Sequence, residues 1–186
     1  MDIVAHGLWA GVGVALARRH RPIPDRVAVS AVVMAVVPDL AQLLPLLVTA
    51  LFAEGGWSVL RAYATALPGL EPAMPPLVAA LTHHLHCTLH SAVVAGAVTL
   101  LVWRITRAAW VWYPLLGWWS HILIDVFTHS TQFYPVPVFY PFTPWGFDGL
   151  AWNTPWFLAA NYLAISLAWA GVLLTRTSTG QGPPPG

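Results

Sequence analysis

Nine ionisable residues, His6, Asp39, His83, His84, His86, His90, His121, Asp125 and His129, fall inside stretches of the chain that are otherwise apolar. An ionisable group at the centre of a lipid-embedded helix costs roughly 2.5 to 3.5 kcal/mol on insertion scales, so several persist there only by pairing with one another or by holding an ion. Spacing adds to the case. His86 and His90 are four residues apart and share one helix face, as do His121, Asp125 and His129. Two facing helices can therefore present His-rich stripes. Neutral imidazole nitrogens and carboxylate oxygens suit zinc and other first-row divalent metals, and the core of a helical bundle is where such sites are built. A bound divalent ion lowers the pKa of its water toward about 7 and polarises a phosphoryl or acyl oxygen, which supplies a nucleophile without Ser or Cys.

The elements that must carry these groups follow from composition. Of 186 residues 58% are hydrophobic and 8% charged, whereas soluble domains are about a quarter charged. The expectation is an all-α integral membrane protein, a bundle of about five transmembrane helices. With about 20 apolar residues as the spanning length, helices are expected near 3–17, 27–53, 77–103, 108–130 and 156–175. The segment 54–76 is rich in Gly and Pro around a short interfacial helix, and an aromatic, Pro-rich loop fills 131–155. Residues 1–176 form a single transmembrane domain, and the Gly, Ser, Thr and Pro of 177–186 read as a disordered tail. The first helix has Arg18, Arg19 and Arg21 after it and no basic residue before it, the reverse of a cleavable signal peptide. It reads as retained.

All eight basic residues are Arg, and all but Arg61 lie in the first loop, the third loop or just after the last helix. By the positive-inside rule the N-terminus is then outside and the C-terminus cytoplasmic, in a cell inner membrane. At about 1.5 Å rise per residue, His6, Asp39, His83 to His90, His121 and Asp125 all fall in the outer half of the bundle, although only arginines were used to set the topology. The expected metal ligands are His6, Asp39, His90, His121 and Asp125, with His86 as a sixth, and Asp39, His90 and Asp125 as catalytic residues. The ion is one or two divalent metals, zinc first. Against seven acidic residues the eight arginines give no basic field, which excludes a nucleic-acid partner. The single Cys87 excludes an intramolecular disulfide and reads as a buried small hydrophobe.

The segment Gly117-Trp-Trp-Ser-His121-Ile-Leu-Ile-Asp125-Val-Phe-Thr128 resembles the G-x-x-S-H-x-L-x-D-x-(L/F)-T signature of the YdjM-like family of membrane-bound metal-dependent hydrolases. His6, the pair Pro38-Asp39, the pair His90-Ser91 and Pro141-Phe142 follow in that family's order, so the resemblance spans roughly residues 3–145. It implies a membrane-embedded metal-dependent hydrolase. The family's H-R-x3-H-S is replaced here by Thr-His-His-Leu-His-Cys-Thr-Leu-His-Ser, which leaves open whether His84 or His86 takes the first role on that helix. The apolar setting favours a membrane lipid or lipid-linked ester or phosphoester as substrate, with the loop 131–155 as a lid. Three other classes fit parts of the pattern: a metal or proton transporter, whose path would stop in the nearly apolar inner halves of the helices; a bis-His haem protein on His90 and His121; and a structural bundle with self-paired His.

Overall fold

The computed structural model describes residues 1–67 and 69–179, with side chains through Thr175, and is all-helical. The first helix, α1 (Ile3–Ala17), starts where Asp2 caps it, its Oδ1 accepting from Ala5 N at 3.0 Å. Next come α2 (Asp25–Gln42) and α3 (Leu44–Phe52), bent by 56° at Leu43. Pro45 at the start of α3 has no N–H to give the preceding turn, so the helix breaks there. A left-handed Gly55, at φ 70°, turns the chain into α4 (Gly56–Thr65), the short helix expected in this segment.

The pair α5 (Pro76–Leu89) and α6 (Ala92–Ile105) is bent by 58°. His90 caps the end of α5, and Ser91 starts α6: its Oγ accepts from Val93 N at 3.1 Å and Val94 N at 3.2 Å and donates to Tyr140 O at 2.6 Å. The last two helices are α7 (Trp112–Thr128) and α8 (Pro155–Thr179). In the loop between them, Gly149 N donates to His129 O at 2.8 Å and Trp152 N to Thr128 O at 2.9 Å, while Ala92 N donates to Val138 O at 2.9 Å. This loop therefore straps the end of α7 to the start of α6.

Helix α2 is the central post, packed against α1, α5 and α7, while α8 lies along α1. Gly117 makes the α2–α7 contact: a Cβ there would lie 2.1 Å from Ala31 O. With Ala31 and Ala35 buried opposite, the two backbones come as close as small residues permit. Leu115, Trp118 and Ile122 of α7 close on Ala95 of α6, and Trp118 Nε1 donates to Leu89 O at 2.6 Å, one residue before the α5–α6 break.

Two of the expected five helices are thus bent pairs rather than continuous rods. Among the described residues one segment, Pro155–Thr175, is long and apolar enough to cross a membrane, and up to three are if each bent pair counts once. Helix α1, with 15 residues, and α7, with 17, reach about 22 and 25 Å against a hydrocarbon core of about 30 Å. The last helix runs to Thr179, three residues into the expected tail; 180–186 lie outside the described residues.

Candidate metal centre

Four side chains from three places in the bundle meet: Asp39 from α2, His90 from the α5–α6 break, and His121 and Asp125 one turn apart on α7. One donor atom from each lies within 4.8 Å of the others, and all four residues are buried. His90 and His121 are 0% exposed and Asp125 1%.

Local structure places three of these side chains. Pro38 removes a backbone donor from α2 one residue before Asp39. The close approach at Gly117 brings His121, one turn on, against Ala35, and its Nδ1 lies 2.8 Å from Ala35 O. His90 Nδ1 lies 2.9 Å from His86 O. A carbonyl only accepts, so in each neutral imidazole Nδ1 carries the proton and Nε2 the lone pair. Those two Nε2 atoms face each other at 2.9 Å. Around them stand Asp125 Oδ2, at 3.3 Å from His90 Nε2 and 3.2 Å from His121 Nε2, and Asp39 Oδ1, at 3.5 and 3.8 Å. Four electron-rich atoms point at one another with no donor between them, and Asp125 Oδ2 and Asp39 Oδ2 have no hydrogen-bond partner. With both imidazoles neutral, buried acceptors so arranged repel unless a metal ion or an added proton lies among them. Carbonyl-held imidazoles are also how metal-binding histidines are oriented. The residues present therefore fit a divalent metal with nitrogen and oxygen ligands.

The remaining expected ligands stand one step back. His6 Nε2 donates to Asp125 Oδ1 at 2.8 Å and its ring stacks on His121 at 3.9 Å, so it orients the carboxylate, while its buried Nδ1 has no partner. The Met1 ammonium also donates to Asp125 Oδ1. His86 stacks on His90 at 4.1 Å and its Nδ1 donates to Gln42 Oε1 at 2.9 Å, leaving a buried, unpartnered Nε2. Of the two candidates on α5 it is His86 that adjoins the centre. His84 instead bonds the Tyr140 hydroxyl at 3.1 Å, and His83 lies 3.5 Å from the Cys87 sulfur. His129 Nδ1 donates to Asp125 O at 3.0 Å. Gln42, missed in the sequence, joins two members by donating to Asp39 Oδ1 at 3.4 Å while accepting from His86. Its only signal was a polar side chain three residues after Asp39.

Two cavities lie in this part of the bundle; the first has Asp39 in its lining and the second none of the four clustered residues. One, of about 580 Å³, is lined by Asp39, His86 and His129 and, toward its mouth, by Tyr63, Glu71 and Tyr134. Burial, with Tyr134 and Glu71 nearby, pushes the Tyr63 phenol up to about 12, so it stays a neutral donor. The other, of about 830 Å³, is an apolar groove between α1, α7 and α8. Met1 lines both. No protein-family model matches the chain, and neither a curated protein nor a solved structure shows significant similarity to it.

Proposed function

We propose that this chain is a membrane-embedded metal-dependent hydrolase acting on a lipid or lipid-linked ester or phosphoester. The observation that carries the reading is the pair of His90 and His121 lone pairs facing each other, with two carboxylates, in a buried pocket that opens to a cavity. Asp39, His90, His121 and Asp125 would hold the ion, zinc first by ligand type. When bound, such an ion activates water and polarises a phosphoryl or acyl oxygen.

The chain's own residues do the rest. Ala35 O and His86 O hold the imidazoles in the binding tautomer, His6 holds Asp125, and Gln42 holds Asp39. His86 lines the cavity, and its Nε2 is buried without a hydrogen-bond partner. A lipid setting is supported by the apolar outward faces of α6 and α8, where Leu100, Leu101, Leu163, Leu167 and Leu174 are exposed. The fuller topology belongs to the same proposal: five crossings with the two bent pairs each counted once, the N-terminus outside and the C-terminus cytoplasmic in an inner membrane, with α1 and α7 met by local thinning. So does kinship with the YdjM-like hydrolases, which rests on the motif residues that make up the cluster.

Elemental mass spectrometry of detergent-purified protein tests the centre, wild type beside the double substitution His121→Ala and Asp125→Ala. One or two divalent ions per chain, absent from the variant, are expected, followed by hydrolysis of a phospholipid that His90→Ala abolishes. Wild type that is metal-free and refuses added zinc and manganese would overturn the reading, because a proton on one imidazole then relieves the repulsion and the cluster is structural.

A further inference from the structure

The groove between α1, α7 and α8 has one end at Met1, whose ammonium donates to Asp125 Oδ1, and the other far from it. Thr128, Met1, Phe157 and Asn161 line the near end, Ala17 and Tyr113 the far one. Neither Asp, Glu nor Arg lines it. From Tyr113 to Thr128 it follows α7 for about 22 Å at helical rise, more than the roughly 15 Å of one leaflet's hydrocarbon and less than the whole core. Its near end is not apolar throughout. Thr128 is 8% exposed and its hydroxyl has no partner, and Asn161 Nδ2 is likewise unpartnered because only Oδ1 is used, accepting from Trp9 Nε1 at 3.0 Å. Two orphaned donors at the head of an uncharged slot call for an acceptor on the occupant, since leaving them unpaired costs about 1–3 kcal/mol each.

We propose that this groove seats one acyl chain of a glycerolipid, with its ester carbonyl at Thr128 and Asn161 and the chain tip at Tyr113. The proposal deepens the hydrolase reading, because a chain so anchored sets the ester end and the headgroup near Asp125, at the point where the groove and the cavity lined by Asp39 share Met1. It also makes the groove a ruler: a chain longer than the slot does not bring its ester to the centre. Gly13 marks where the ruler can be shortened. It lines the groove one turn before Ala17, and a Cβ added there meets nothing within 4 Å, so a larger side chain enters the slot without disturbing the helices.

The test is photo-crosslinking in phosphatidylglycerol vesicles doped with a phosphatidylcholine that carries a diazirine either at the tip of one chain or beside its ester. The tip probe should label the Tyr113 and Ala17 segments, and the ester-proximal probe Thr128 and Asn161. Gly13→Phe should cut tip labelling at Tyr113 about tenfold, since displacing two methylenes at about 0.8 kcal/mol each is worth that much in affinity. Thr128→Val, which keeps shape and removes the hydroxyl, should cut ester-proximal labelling about fivefold. Labelling spread evenly onto Leu100 and Leu101 of α6 and indifferent to both substitutions would overturn the proposal. Repeating the experiment on chelator-stripped protein separates the two readings: retained, position-specific labelling keeps the groove even if no hydrolysis is ever found, and hydrolysis with unspecific labelling removes the groove alone.

Discussion

Gly117→Ala should weaken metal binding at the proposed centre without touching any of the four clustered side chains. The added Cβ would lie 2.1 Å from Ala31 O, and real Cβ atoms do not approach closer than 3.0 Å, so α7 must back away from α2 by about 0.9 Å. Both atoms are main chain or rigidly tied to it, so no rotamer absorbs the clash. One turn along, the His121 Nδ1 to Ala35 O contact stretches from 2.8 Å to about 3.7 Å and ceases to be a hydrogen bond. Overpacking of this kind costs about 1–3 kcal/mol in stability. Loss of the bond that orients a ligating imidazole lowers metal affinity about 10- to 100-fold. Titration against a chromophoric chelator, with elemental analysis of the purified protein, reads the affinity. Gly13→Ala is the matched control, because nothing lies within 4 Å of its Cβ. If Gly117→Ala bound metal as tightly as Gly13→Ala, the claim that helix approach sets the ligand geometry would be wrong.

Ser91→Ala removes an acceptor for two helix N–H groups and a donor to Tyr140 O. It should cost about 1–2 kcal/mol, seen as a lower thermal midpoint in detergent. His86→Ala should keep the ion that His121→Ala loses, since His86 bonds Gln42 rather than facing the four donors; elemental analysis of both decides whether His86 is a ligand. In the loop between α7 and α8, hydrogen bonds from the Thr131 N–H and hydroxyl hold the Asp148 carboxyl below its ordinary value of 3.8. A depressed folded pKa contributes stability that is present above 3.8 and lost as pH falls through the lower folded value. Pepsin cleavage between Thr131 and Asp148 should therefore accelerate below that point in wild type and stay flat with pH in Asp148→Asn.

Much of the site was legible because ionisable groups in apolar stretches have few ways to be satisfied. Asp39, His90, His121 and Asp125, expected together from their types, do come together. The first helix also runs over the expected residues, Ile3–Ala17. What spacing could not supply was the order of contacts around the cluster. His6 and His86 have the right chemistry and position, yet each is turned to a partner, Asp125 and Gln42, that only tertiary packing provides. The broken helices were hidden for a different reason. Hydropathy sums over a window and sees 27–53 and 77–103 as continuous, whereas the breaks depend on Pro45 and on a serine whose hydroxyl finds the Tyr140 carbonyl 49 residues away.

Those breaks explain how a bundle this small holds a polar centre at all. Three of the four members of the cluster stand where a helix is already irregular or ending, His121 alone lying inside a regular helix: Asp39 after Pro38 and four residues before the Leu43 bend, His90 at the cap of α5, Asp125 in the last turn of α7. At such places backbone groups lack helical partners and must be satisfied in some other way. Here the loop between α7 and α8 does so from Val138 and Tyr140 on one side and Gly149 and Trp152 on the other. A straight five-rod bundle would satisfy its backbone better and leave less room for four converging side chains. Asp39, Gln42 and Leu43, up to the first bend, and His86, before the second, also line the cavity beside the cluster, so the segments that place the four side chains form its wall as well. If that is right, ligand placement and cavity access are one property of the fold, and restoring helix continuity at Ser91 would remove both together.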